Sequence, residues 1–407
     1  MKQLTLRIVI AICTFVTGLS AATIWIVHSS APVIDPINVT MLEDSTNSGS
    51  NAPTDRPVLE MVFVLDTTGS MSGLLEGAKQ RIWGIVNEVM QSPSRPSVRI
   101  GLVAYRDRGD EYITKVLPLS GDLDLVYSTL MDYQAGGGGD GPENVRRALA
   151  EGVHRAGWSQ NSSRITQIIF LVGDAPPHED YNDEPETATT ASEAVRKGMI
   201  INTIQCGSMP GTREVWQEIA RRGQGQYFAI AQDGGVQTIT TPYDEQLGEL
   251  GRKLGGTYLA YGGGAGSAGK AYRAEAATRM AATEIAIEER AAPAAKADRA
   301  LNKALNREAY TGDLLQAIEN GTTSVDSIKD EELPDDLRKL EPDARKQEIE
   351  KRLSERKQLR AQIIALSKQR DEFIAAERKK QPTTGKHGGF DTAVAAALKE
   401  QLARKRH

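Results

Sequence analysis

Residues 61–72 read Met-Val-Phe-Val-Leu-Asp-Thr-Thr-Gly-Ser-Met-Ser, an apolar run that stops at a carboxylate and then offers hydroxyls at alternate positions. In a loop leaving a strand, residues i, i+2 and i+4 can turn toward one point. Asp66, Thr68 and Ser70 are therefore expected to converge as oxygen donors of the kind hard divalent cations bind. Gly69 permits a sharp turn, and the run from Met71 onward reads as a helix whose N-terminal amides bring a partial positive charge nearby. A plain strand-to-helix turn with a capping hydroxyl would use the same residue types, so the rest of the chain must decide between them.

A second apolar run, Ile165-Thr-Gln-Ile-Ile-Phe-Leu-Val-Gly-Asp174, is continuous in the manner of a parallel strand covered on both faces. Ligands of open parallel sheets bind beyond the carboxyl ends of the strands, so Asp174 is expected beside Asp66 if the two strands are neighbours. Between the two runs lies Gly136-Gly-Gly-Gly-Asp140-Gly-Pro-Glu143, followed by a helical pattern through Val145, Ala148, Leu149, Gly152 and Val153. Pro142 suits a first helical turn, and Glu143 there would serve the helix dipole or reach the rim of the site.

These three segments together resemble the von Willebrand factor type A domain, whose metal-ion-dependent adhesion site begins with Asp-x-Ser/Thr-x-Ser after a buried first strand. The resemblance spans roughly residues 58–260. It implies that Asp66, Thr68, Ser70 and Asp174 hold Mg2+, with Mn2+ or Ca2+ compatible with the same oxygens. It also implies a partner, typically a protein, whose carboxylate completes the coordination. Where integrin-type members place a threonine in the second loop, this chain has glycines or Asp140. Either Asp140 takes that role, directly or through water, or fewer protein ligands serve. With Asp66, Asp140 and Asp174 all ionised, the metal-free site would repel itself, so a bound cation or a raised pKa is expected.

The expected fold class is α/β, a mostly parallel twisted sheet wrapped by helices and followed by an α-helical C-terminal region. A helix from Met71 to about Met90, a hairpin of strands 98–105 and 112–119, and then alternating strands and helices to about 254 make up the sheet domain. The hairpin turn at 106–110 should share the edge with Asp66 and Asp174, which puts Arg106, Asp107, Glu143 and His178 on the rim of the binding face. The triplet Arg108-Gly-Asp110 is more economically a polar turn than an adhesive motif.

Residues 8–27 carry no charge over a span long enough to cross a bilayer, behind Lys2 and Arg7. Residues 1–28 are read as a transmembrane anchor or signal sequence, with the bulk of the chain outside the cytoplasm, secreted if the segment is cleaved. Residues 29–57 read as a disordered linker, 58–261 as the sheet domain, 262–270 as a glycine-rich linker and 271–407 as a helical, charged region. Cys13 falls in the membrane segment and Cys206 ends an apolar strand, so no disulfide framework is expected.

Gly264-Ala-Gly-Ser-Ala-Gly-Lys270 imitates a phosphate loop, but Ala271 stands where Ser or Thr must bind Mg2+, so no nucleotide is expected. In the tail, residues 338–380 hold 14 Lys or Arg against 8 Asp or Glu within a chain of net charge −5. A solvated helix face explains this better than nucleic acid. Leu359, Ile363, Leu366 and Phe373 share one stripe there, which Arg356 and Arg370 interrupt. The function expected is metal-dependent binding of a protein at the cell envelope, not catalysis. The alternatives are a metal-dependent hydrolase, or a scaffold whose helical tail carries the interaction.

Overall fold

A computed structural model describes residues 56–92, 95–139, 141–235, 239–306, 308–380 and 389–404. The proposed N-terminal anchor and its linker to residue 55, and Asp140, lie outside the described residues. Among the described residues, no helix is long and apolar enough to cross a membrane.

Six strands form one sheet in the order β3-β2-β1-β4-β5-β6. They are β1 (Val58–Asp66), β2 (Ser97–Tyr105), β3 (Thr114–Ser120), β4 (Ile165–Gly173), β5 (Met199–Cys206) and β6 (Gln224–Ile230). All neighbours run parallel except the β2–β3 hairpin. This is the mostly parallel, helix-wrapped sheet expected. Strands β2 and β4 flank β1, with Asp66 opposite Tyr105 and Leu65 opposite Val172. Asp66, the 106–110 turn and Asp174 thus leave the sheet at one edge.

The period-two geometry of β1 feeds two cores. Met61, Phe63 and Leu65 point toward α1 (Ser72–Met90) and α2 (Leu123–Asp132). Val62 and Val64 point toward α3 (Val145–His154), α4 (Thr187–Arg196) and α5 (Thr212–Arg222). At Gly152, α3 runs so close to β1 that an added Cβ would sit 2.8 Å from Val64 Cγ2. Helix α2 was not foreseen; its signal is Asp122, whose side chain accepts from the amides of Asp124 and Leu125 as an N-cap.

Residues 55–407 make one compact unit. After α6 (Asp244–Gly255) come α7 (Gly266–Arg290), α8 (Pro293–Leu305), α9 (Leu314–Glu319), α10 (Asp335–Arg338), α11 (Pro342–Lys380) and α12 (Phe390–Arg404). The break at Ala291–Ala292 is followed by Pro293 at the start of α8, where a missing N–H costs nothing.

Helix α12 lies on the α1 side of the sheet. Its Phe390, Val394, Ala397 and Leu398 are buried in the same core as Phe63 and Phe170, and the Phe390 and Phe63 rings are 6.0 Å apart. Asn202 of β5 and Gln401 exchange amide hydrogen bonds of 3.1 and 2.6 Å.

Arg356 and Arg370, expected to interrupt the apolar stripe of α11, are buried within it. Arg356 pairs with Asp313 and also donates to Thr257 Oγ1 at 2.8 Å and to the Thr257 carbonyl at 2.9 Å. Arg370 reaches Asp244 and Asp298, each at 2.6 Å. Charge at those two positions is how α11 is held, because a guanidinium can satisfy several buried acceptors from one plane. On α8, Arg299 grips Asp124 of α2 with bonds of 2.8 and 2.7 Å, and Lys303 reaches the same carboxylate at 2.6 Å.

Candidate metal centre

Three loops meet at the carboxyl edge of β1 and β4. In the first, Asp66 is fully buried and its Oδ1 accepts from the Thr68 amide at 2.9 Å and the Thr68 hydroxyl at 2.6 Å. The Thr68 and Ser70 hydroxyls lie 3.3 Å apart, so the alternate oxygens do converge. A short 3-10 turn, Gly69–Met71, separates them from α1. Asp66 Oδ2 is buried without a hydrogen bond of ordinary geometry. It lies 3.1 Å from where a Cβ on Gly173 would sit, so that glycine leaves the room Asp66 occupies.

The second loop lies against the first: Gly69 N–H donates to the Gly137 carbonyl and Gly136 N–H to the Thr67 carbonyl. Gly137 and Gly138 both have φ near +77°, a conformation glycine adopts without strain. A Cβ on Gly138 would meet Glu143 Oε1 at 3.1 Å and Thr68 Cβ at 3.2 Å, so those two side chains face each other across it.

Helix α3 begins later than expected. Asn144 is its N-cap, accepting from the Arg147 amide at 3.1 Å, and Pro142 and Glu143 precede it. Glu143 is therefore not a first-turn residue, and at 3% exposure it is not on the rim. Its amide donates to Pro176 and its carbonyl accepts from His178, which ties the second loop to the third.

In the third loop Asp174 is buried, and its Oδ2 accepts from Gln232 Nε2 at 2.6 Å. Gln232 also donates to the Ser70 carbonyl at 3.3 Å. Sequence reasoning missed Gln232. Its signal is its place two residues past β6, on the edge where parallel strands gather their ligands.

The remaining rim residues are mostly structural. Arg106 is buried and donates to the carbonyls of Thr67 and Gln134, with its guanidinium over the Tyr112 ring. Asp107 is buried and takes both of its bonds from the Tyr181 hydroxyl, at 3.0 and 2.9 Å, with His178 Nε2 at 3.3 Å. His178 stacks on Tyr181, and the Arg108 guanidinium also lies over that ring while pairing with Asp183 and Glu184. Asp110 accepts from the Gly138 and Asp107 amides. Both ends of Arg108-Gly-Asp110 are thus engaged within the chain, as a polar turn should be.

Burial pushes Asp66 up to about 7; the Asp174 charge adds to this, while the Thr68 bonds and the Asp174 amide oppose it. Burial likewise raises Glu143 to about 9, reinforced by Asp66, Asp107, Asp110 and Asp174. Cys206 is buried and its thiol is raised far above its usual range, which makes it an inert packing residue. Among the described residues, no three His, Cys, Asp or Glu side chains form a metal-binding cluster by themselves. The donor set suits a hard cation in another way, through the hydroxyls of Thr68 and Ser70 and the carboxylates of Asp66 and Asp174, one buried oxygen of Asp66 being unsatisfied.

Residues 60–242 match the sequence pattern described as the von Willebrand factor A domain. The chain is 30% identical over 186 residues to von Willebrand factor A domain-containing protein 7 of Mus musculus, covering 46% of this chain and 19% of that protein. It spans less than a fifth of the length of the curated relatives it matches. Among solved structures, BatB of Bacteroides thetaiotaomicron aligns at 20% identity over 43% of this chain and 90% of its own, with a TM-score of 0.31. The SpRpn10 VWA domain aligns at 15% identity over 43% and 89%, with a TM-score of 0.33. The sequence match over residues 60–242 and the mostly parallel, helix-wrapped sheet of the same residues agree on a von Willebrand factor A-like fold for this part of the chain.

Proposed function

We propose that this domain binds a protein partner through a divalent cation, Mg2+ before Mn2+ or Ca2+, held at the carboxyl edge by Asp66, Thr68, Ser70 and Asp174. The observation that carries the reading is Asp66 Oδ2, a buried carboxylate oxygen without a hydrogen bond of ordinary geometry, on the side chain whose other oxygen holds the Thr68 hydroxyl. When bound, the cation supplies a Lewis-acidic point to which a partner carboxylate attaches.

The chain's own part is to orient donors. Oδ1 of Asp66 holds the Thr68 amide and hydroxyl in place, and the glycine loop keeps side chains away from the opening. Gln232 fixes one oxygen of Asp174 and leaves the carboxylate aimed at the edge. The uncharged residues 8–27 support placement of this binding face outside the cytoplasm, tethered to the membrane.

The test is a pull-down from the host's envelope fraction with the full chain, in Mg2+, in chelator, and with Asp66→Ala. A partner retained only by the wild type in Mg2+ is the expected result. Equal retention in all three would move binding to another face.

A further inference from the structure

We infer that the cleft between α1, α8 and α11 is a binding site for a linear aliphatic diamine or polyamine. It lies along the later half of α1, away from the carboxyl edge, and stands independently of the metal reading.

The cleft encloses about 410 Å3, within the range of small-molecule sites, which often form between packed helices. Arg81, Gly84, Glu88 and Gln91 line it from α1 at helical spacing, a stretch of about 15 Å at 1.5 Å per residue. Leu301 of α8 and Ile374 of α11 add apolar surface of the kind that methylenes cover.

Charge around the cleft is out of balance. Three arginines, Arg81, Arg370 and Arg378, face five carboxylates, those of Glu88, Asp244, Asp298, Asp371 and Asp391. Arg370 is divided between Asp244 and Asp298, and Arg81 between Asp391 at 3.1 Å and Asp298 at 3.7 Å. Only Arg378 remains near Glu88 and Asp371, and neither acid forms a hydrogen bond or close ion pair among the described residues.

At the cleft Asp298 is 5% exposed, and its Oδ2 is buried without a hydrogen bond, Arg81 being too distant to donate. Gly84 leaves room beside that oxygen, since a Cβ there would come within 2.9 Å of it. Burial raises the carboxyls of Asp298, Glu88 and Asp371 in spite of the arginines around them. An ammonium group would satisfy the oxygen with a charge-assisted bond. The three acids stand on three different helices, and among the described residues no such group is placed to hold a metal ion. Separated ammonium groups on one flexible chain fit that spread, and in binding they would tie α11 to α1 and α8.

The experiment is a calorimetric titration of the full-length protein with the diamine putrescine, the triamine spermidine and the monoamine butylamine. Mg2+ is present throughout to occupy the carboxyl edge, and melting temperature is followed in parallel. Putrescine or spermidine is expected to bind saturably, at least about tenfold tighter than butylamine, and to raise the melting temperature. The double variant Glu88→Gln with Asp371→Asn should bind at least about tenfold more weakly. Glu355→Gln removes an exposed acid from α11 outside the cleft, and should stay within about twofold of wild type.

No saturable uptake at millimolar concentration, or butylamine bound as tightly as the diamine, would overturn the assignment. So would wild-type affinity in the double variant, or an equal loss in Glu355→Gln. Should the double variant fail to fold, Glu88→Gln alone is read in the same way.

Discussion

Two groups of acids are buried in this molecule, and they are treated in opposite ways. Where the tail helices pack on the sheet domain and on one another, Asp124, Asp244 and Asp313 each receive a guanidinium or ammonium from α8 or α11. At the carboxyl edge, Asp66 and Glu143 each keep a buried oxygen without a donor. Asp124 and the two edge acids diverge accordingly. Burial by itself would raise Asp124, yet Arg299 and Lys303 override it and hold the carboxyl well below its usual range, while Asp66 and Glu143 rise. Asp298 stands between: it shares Arg370 with Asp244, and burial still raises it. Paired acids of this kind hold a structure together, and the unpaired ones answer burial with a raised pKa and mark where the proposed cation would bind.

The comparison breaks hardest at Arg356. Arg356→Ala leaves Asp313 buried without its partner and is expected to cost about 3–5 kcal/mol in urea unfolding. A loss under about 1 kcal/mol would mean that the tail is not held by this pair.

A smaller effect is expected at Asp124. Its folded pKa lies below the unfolded value near 3.8, so its stabilisation is present above that value and is lost as pH falls through the folded one. Wild type should therefore lose stability steeply below about pH 4, and Asp124→Asn should flatten that limb of a pH–unfolding curve. Parallel curves would remove Asp124 from the paired group.

The smallest change belongs to the edge. Asp66→Asn keeps an oxygen for the Thr68 bonds and removes an unsatisfied charge, so metal-free stability should stay within about 1 kcal/mol of wild type or rise. The melting rise on adding Mg2+ should disappear in the same variant. A large metal-free loss would place Asp66 with the structural acids.

The framework of the sheet domain was readable because its signals are local. Apolar runs ending at Asp66 and Asp174, and a helix face through Leu75, Ala78, Ile82 and Val86, state strand and helix by period alone. The first loop was readable for the same reason, since alternate positions from Asp66 to Ser70 share a side.

What could not be read depends on distant partners. Arg356 and Arg370 look like breaks in a stripe until Asp313 and Asp244 are brought to them by the fold. Glu143 looks like a helix-dipole residue until Asn144 proves to be the cap. Gln232 has no local pattern to mark it, and only strand order brings it to Asp174.

The position of α12 has a consequence for how the protein is made. Phe390 and Leu398 close the same apolar layer as Phe63, and the Asn202–Gln401 amide pair joins residues 199 positions apart. At about 5–20 residues per second, a ribosome needs on the order of 10–40 s to pass from one to the other. Throughout that interval the part of this face that α12 covers, beside the helix α1, remains open. The nascent domain is thus a substrate for chaperones and an aggregation hazard, and a fragment stopped at residue 261 would carry that exposed face permanently.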